Sequence, residues 1–201
     1  MSHRTVAAFD FDKTMTYHDT LLPFLFHLHP IHFKVMKAIQ LIPTVSLYKM
    51  GYLENHDAKE KLLKAFLRNC SYEKLEEQAK IFSLSRLSRC VKPEALQRLH
   101  WHQKKGHECI LISAGLELYL KPWADSVGLE LSATRLHIHN GRVTGKIDGQ
   151  NCFGQEKVNR LLERFGPKEG FTLYAYGDSR GDQELLALAD HPFYRIMPPC
   201  H

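Results

Sequence analysis

The stretch Val6-Ala-Ala-Phe-Asp-Phe-Asp-Lys-Thr14 constrains this chain more than any other. It starts apolar enough to be a buried parallel strand over residues 5–11, and it delivers Asp10 and Asp12 where the apolar run stops. In open α/β sheets the carboxyl ends of the strands line the ligand crevice. Extended backbone would turn both carboxylates to one face and so into one site. Two acids that close repel when buried unless a cation or a shared proton relieves them. Mg²⁺, a hard ion that takes oxygen ligands, is the expected relief.

The chain then changes character twice. From about residue 16 to 90 the pattern is helical, with predicted helices over 21–28, 31–49, 56–68 and 71–87. Pro43 should break or kink the second of these, and Gly51 should end it. From Lys92 onward strands alternate with helices. A helix is predicted over 93–105, a strand over 108–113, and a helix over 116–127, bent or restarted at Pro122. Asn140-Gly141 joins a strand over 131–139 to Arg142-Val-Thr144 as a type I′ hairpin. A helix over 155–165, a strand over 171–177, a helix over 182–189 and a short strand over 193–197 complete the chain. This alternation predicts an α/β fold with a doubly wound parallel sheet. Residues 1–15 and 91–201 would form the core, and 16–90 an inserted α-helical cap.

Three further pieces fall at strand or helix ends of this scheme. Ser113 ends Cys109-Ile-Leu-Ile-Ser-Ala-Gly115, Lys157 stands in Gly154-Gln-Glu-Lys157, and Gly177-Asp-Ser-Arg-Gly-Asp182 follows the 171–177 strand. Ser113 with the amides at Ala114 and Gly115 would make an anion cradle, or would merely cap the next helix. Lys157 in a first helical turn opposes the helix dipole, which fits an anion beside it. Asp178 and Asp182 could each be a metal ligand or a plain helix cap.

Taken together and in this order, Asp10-Phe-Asp-Lys-Thr14, Ser113, Lys157 and Gly177–Asp182 resemble the four motifs of the haloacid-dehalogenase (HAD) superfamily. The resemblance spans nearly the whole chain and implies a HAD-like Rossmannoid core and a phosphatase. Asp10 would be the nucleophile that forms an aspartyl-phosphate, and Asp12 the acid and base that protonates the leaving alcohol and activates water. Ser113, Ala114 and Lys157 would bind the phosphate. Thr14 would hydrogen-bond within its loop and help orient it. Mg²⁺ would be held by Asp10, Asp178 and the main-chain carbonyl of Asp12, with Asp182 behind them holding a metal water or Lys157.

A helical cap between the first two motifs is similar to the phosphoserine-phosphatase-like branch, which keeps an acid at the cap entrance where Asp19 stands. That branch carries a cap arginine for the substrate carboxylate, whereas Asp57-Ala-Lys-Glu-Lys-Leu-Leu-Lys-Ala holds none. Gly181 also replaces its usual asparagine. The apolar segments at 21–28 and 35–50 are similar to HAD enzymes of the phosphatidylglycerophosphatase C type. With Lys34, Lys37 and Lys49 they could rest on an anionic bilayer as a peripheral contact. A small soluble phosphomonoester is placed first as substrate, and a lipid phosphate is its alternative.

Other classes are weighed on the same residues. A two-component receiver places its nucleophile on a middle strand, not the first. A dehalogenase would lack the second acid at position 12. A phosphomutase or other phosphotransferase stays open, as does a phosphate-binding protein with relic motifs. The net charge of +5 suits an anionic ligand, but no Lys/Arg block is dense enough for nucleic acid. Five scattered cysteines without C-x-x-C predict reduced thiols and a cytoplasmic protein, with an inner-membrane association if the cap meets lipid. Asp10 leaves no room before it for a secretory leader. His137 and His139 share a strand face but have no acid or cysteine with them, so they read as surface histidines.

Overall fold

The computed structural model describes residues 4–199; the Cys200-His201 tail, expected to fray, lies outside them. Among the described residues six strands form one sheet: β1 (Arg4–Phe9), β2 (Glu108–Leu116), β3 (Glu130–His139), β4 (Arg142–Asp148), β5 (Phe171–Gly177) and β6 (His191–Tyr194). Their order is β4-β3-β2-β1-β5-β6, so β1 is central. The sheet is parallel except at its β3–β4 edge, where the Asn140-Gly141 turn makes the pair antiparallel. The sheet is therefore mixed, since a hairpin of two residues can only return the chain antiparallel.

Both faces are covered, and the strands alternate accordingly. Val6, Ala8, Ile110, Ile112, Leu173 and Ala175 pack with Val158, Leu161 and Phe165 of α7 (Gln155–Phe165) and Leu185 of α8 (Gln183–Leu188). Ala7, Phe9, Leu111 and Tyr176 turn to the other face. There they meet Ala95 and Leu99 of α5 (Pro93–Lys104) and Tyr119, Leu120 and Trp123 of α6 (Glu117–Ser126). Pro122 lies inside α6 without ending it. The last strand begins two residues earlier than expected, because Pro192 sits on the edge strand, where proline costs no sheet bond on its open side.

Residues 16–90 hold α1 (Leu21–His27), α2 (Ile31–Lys49), α3 (Asn55–Leu67) and α4 (Tyr72–Ser85). The chain leaves and re-enters the core side by side. Thr16 and Val91 form an antiparallel bridge, flanked by bonds from Tyr17 N to Cys90 O (3.0 Å) and from Lys92 N to Met15 O (2.8 Å). On this ground we take 16–90 as the cap. It has no separate core: Phe24, Leu63, Phe66, Leu75 and Phe82 belong to one apolar cluster with Phe9, Leu111 and Tyr119. Gly145 of β4 lets α3 lie directly on the hairpin, since a Cβ there would fall 2.6 Å from the Cα of Lys64.

Helix α2 is the exception. It runs unbroken through Pro43, which is exposed, and none of its residues is buried. The carbonyl that proline leaves without its bond can turn to solvent. Ile31, Val35, Ile39, Ile42 and Val45 are all exposed along it.

Behind β1 and β5 lies a buried polar group. His102 is fully buried, with Nδ1 2.8 Å from His107 Nδ1 and Nε2 2.8 Å from the Tyr176 hydroxyl. Burial, then the nearby Arg98 and His107, push its pKa down to about 3. The unfolded chain takes up this proton as pH falls below about 6.5 and the folded one only near 3, so this group withdraws up to about 1.4 kcal/mol of stability per pH unit between those values. Urea unfolding of the native protein and of His102→Gln at about pH 7 and 5 isolates this share: the raised carboxylates Asp10 and Asp12 act in the opposite sense, so the stability of the native protein relative to the variant should be lower at pH 5 than at pH 7.

Candidate active site

β1 ends at Phe9, so Asp10 is the first residue beyond the strand. Its N–H donates to Tyr176 O at 2.9 Å, which ties it to the end of β5. The chain then turns sharply. Lys13 takes a left-handed φ of 61°, uncommon without glycine. Three bonds hold the turn: Lys13 N to Thr16 Oγ1 at 3.1 Å, and Lys92 Nζ to the carbonyls of Lys13 at 2.6 Å and Thr14 at 3.1 Å.

The turn separates the two acids. Asp10 is buried and bonds Lys157 Nζ through Oδ1 at 2.6 Å. Asp12 does not share that partner. Its Oδ1 accepts from Thr20 N at 2.8 Å and from Thr20 Oγ1 at 2.7 Å, so the cap's first residues hold it. Both line one cleft of about 570 Å³, together with Ser113, Ala114, Lys157 and Asp178. The expected extended backbone with parallel carboxylates is thus replaced by a turn that gives each acid a different neighbour.

Lys157, in the first turn of α7, is buried and bridges Asp10 and Asp182, each at 2.6 Å. Asp182 Oδ2 accepts from Ser179 Oγ (2.8 Å), Ser179 N (3.0 Å) and Asp178 N (3.1 Å). Both its oxygens are therefore engaged. Gly177 permits this, because a Cβ there would fall 2.4 Å from the Asp182 Cβ. Thr14 reaches out of its loop, with Oγ1 3.4 Å from Asp178 Oδ1, and orients that acid rather than lining the cleft. Ser113, expected to end its strand, lies within β2, which runs on to Leu116 past an irregularity. Its Oγ accepts from Gly115 N at 3.0 Å. Asp19 is exposed at the cleft mouth and pairs with Lys13 at 2.6 Å.

The charge balance is strained. Burial pushes Asp10 up to about 7 against the pull of Lys157, and Asp12 up to about 6 against the bonds from Thr20. Burial also raises Asp178, with Asp182 adding to it. Burial opposes the charge on Lys157, yet Asp10 and Asp182 overcome it and hold its pKa above the ordinary lysine value. Burial would raise Asp182 too, but Lys157 and Ser179 bring it down. Carboxylate oxygens of Asp10, Asp178 and Asp182 lie within 4.8 Å of one another. An all-oxygen donor set with raised carboxylate pKa values fits a hard divalent cation. Asp182 is already saturated, which leaves Asp10 and Asp178 as its side-chain donors.

Three residues outside the expected set also bond within the site: Lys59, Asn151 and Thr20. Lys59 of α3 is buried, and burial brings it down to about 7 while Asp12 opposes the shift. Its Nζ bonds the carbonyl of Ala114 and, at 2.9 Å, Asn151 Oδ1. A signal existed: Lys59 shares a helix face with Leu62, Leu63 and Phe66, where an apolar side chain belongs. Asn151, bonded to Asn55 of the cap, and Thr20 gave no such sign.

Comparison with known proteins accords with this geometry. A family model described as haloacid dehalogenase-like hydrolase matches residues 7–187. The chain is 33% identical over 200 residues to protein CicA of Caulobacter vibrioides, covering 98% of this chain and 89% of that one. It is 29% identical over 153 residues to a histidinol-phosphatase of Neisseria meningitidis, covering 72% and 68%. A solved structure of a Bordetella pertussis protein of unknown function shares the fold at a TM-score of 0.81, with 24% identity over 96% of this chain and 90% of that one. With the four motifs brought together by β1, β2, β5 and the start of α7, the chain belongs to the haloacid dehalogenase-like hydrolases.

Proposed function

We propose that this protein is a Mg²⁺-dependent phosphatase that works through an aspartyl-phosphate on Asp10. The observation that carries the reading is the Asp10–Lys157–Asp182 chain of 2.6 Å contacts on the floor of a cleft that Asp12 and Ser113 also line. An Asp10 oxygen attacks phosphorus, the bond to the leaving oxygen breaks, and Asp12 gives that oxygen its proton. Asp12 then takes a proton from water, the hydroxide attacks phosphorus, and the bond to Asp10 breaks to release inorganic phosphate. Lys157 stays protonated and offsets charge on the phosphoryl oxygens, while Ser113 donates its hydroxyl to one of them. Mg²⁺, held by Asp10, Asp178 and the Asp12 carbonyl, would supply further charge neutralisation and fix the phosphate.

From the residues alone a small soluble phosphomonoester comes first as substrate. A lipid phosphate has one observation in its favour: away from the acids, the cleft is walled by Leu21, Phe26, Leu41, Val45, Leu62 and Phe66. Four of those walls, Leu21, Phe26, Leu41 and Val45, belong to α1 and α2, and α2 carries Lys34, Lys37 and Lys49 with no acid along its length. Among the described residues no helix is long and apolar enough to cross a membrane, so contact with a bilayer would be peripheral.

The test is a panel of phosphomonoesters, from phosphoserine and histidinol phosphate to long-chain lipid phosphates, assayed with Mg²⁺ and with chelator. Hydrolysis that needs Mg²⁺ is expected. Activity unchanged by chelator would remove the metal-dependent mechanism. Turnover confined to lipid phosphates, with binding to anionic vesicles that salt weakens, would decide for the lipid reading. Turnover of polar esters without vesicle binding would decide for the soluble one.

A further inference from the structure

The cap residue Lys59 reaches into the core and grips a main-chain atom of the phosphate cradle. Its ammonium bonds three neutral acceptors, the Ala114 carbonyl, Asn151 Oδ1 at 2.9 Å and Thr134 Oγ1 at 3.4 Å. The carbonyl of Ala114 and the N–H of Gly115 are the two ends of one planar peptide, so holding the first sets the direction of the second. That N–H donates to Ser113 Oγ at 3.0 Å. With its oxygen so engaged as an acceptor, the Ser113 hydroxyl keeps its proton to donate into the cleft it lines.

The other contact to the Ala114 carbonyl is weaker. Thr134 Oγ1 lies 3.1 Å from it but 2.8 Å from Asn151 Oδ1, and a hydroxyl has a single proton to give. The nearer acceptor takes it, which leaves the Ala114–Gly115 peptide dependent on the lysine. Glycine is required at 115 for this approach, since a Cβ there would fall 2.7 Å from Leu120 Cδ1.

We propose that Lys59 is a positioning residue: from the cap, it fixes the Ala114–Gly115 peptide and through it aims the Ser113 hydroxyl at the phosphoryl group. The cradle is then complete only while α3 is seated on the core. This rests on the phosphate-binding role proposed above for Ser113.

A double-mutant cycle with K59M and S113A tests it, read on an aryl phosphate with Mg²⁺, with inhibition by inorganic phosphate measured beside it. Removing an oriented donor of this kind costs about 10²-fold or more. K59M is expected to lose about ten- to a hundred-fold in kcat/KM and to bind phosphate more weakly, with K59R recovering part of the loss. In the S113A background the same change should cost less than about threefold, because its route is already cut. Equal losses in both backgrounds would overturn the proposal. Deuterium exchange provides a readout that does not depend on turnover. K59M should speed exchange at 114–116 while α3 keeps its protection; loss of protection across α3 with no selective change at 114–116 would reduce Lys59 to a strut of the cap. If the native protein hydrolyses no phosphomonoester, the proposed function falls, and the exchange result still decides the role of Lys59.

Discussion

Asp10→Asn is expected to abolish hydrolysis and to leave no phosphorylated protein, a loss on the order of 10⁴-fold or more. The amide is nearly the same size, so β1 and its bond from Asp10 N to Tyr176 O should survive. What disappears is the anionic oxygen facing Lys157. Melting temperature and acid-stable incorporation of labelled phosphate separate chemistry from folding. The variant should melt near the native protein, or above it, because an amide removes one carboxylate from the group formed with Asp178 and Asp182. Normal turnover by this variant would end the covalent mechanism.

Asp12→Asn should behave differently, and the difference identifies its role. It is expected to lower steady-state turnover by about 10²- to 10⁴-fold while phosphate accumulates on Asp10. An aryl leaving group departs without a proton, so the first step should proceed with 4-nitrophenyl phosphate and give a burst of about one nitrophenol per protein. An alkyl phosphate needs the proton and should give no burst. The phosphoenzyme formed from the aryl ester then stalls, since nothing accepts the proton of the attacking water. Thr20 donates two bonds to this carboxylate, and the asparagine oxygen can still accept both, so the cap entrance should keep its geometry. A rapid-quench experiment with each ester reads the outcome. Normal steady-state rates, or equal bursts from both esters, would remove Asp12 from its acid and base role.

Local order was written in the residues themselves. The apolar run before Asp10, the Asn140-Gly141 turn and the alternation after Lys92 specify strands, a hairpin and helices through periodicity and turn chemistry, which act over a few positions. The same short-range signals placed Asp10, Lys157 and Asp178 at element ends, and the sheet order sets β1 between β2 and β5; Ser113 instead lies within β2, whose run past it to Leu116 was not legible. Other features rest on contacts between residues far apart in the chain. Lys59 meets Ala114 and Asn151 across separations of 55 and 92 residues, and Thr14 meets Asp178 across 164. Nothing in the spacing of α3 says which carbonyl its lysine will find. The bare flank of α2 is likewise a tertiary result: its apolar residues suited either packing within the cap or rest on a bilayer, and the folded chain leaves none of them buried. Motif chemistry is local and survives in one dimension, whereas the pairing of a buried charge and the exposure of an apolar face are fixed only when distant segments compete for the same space.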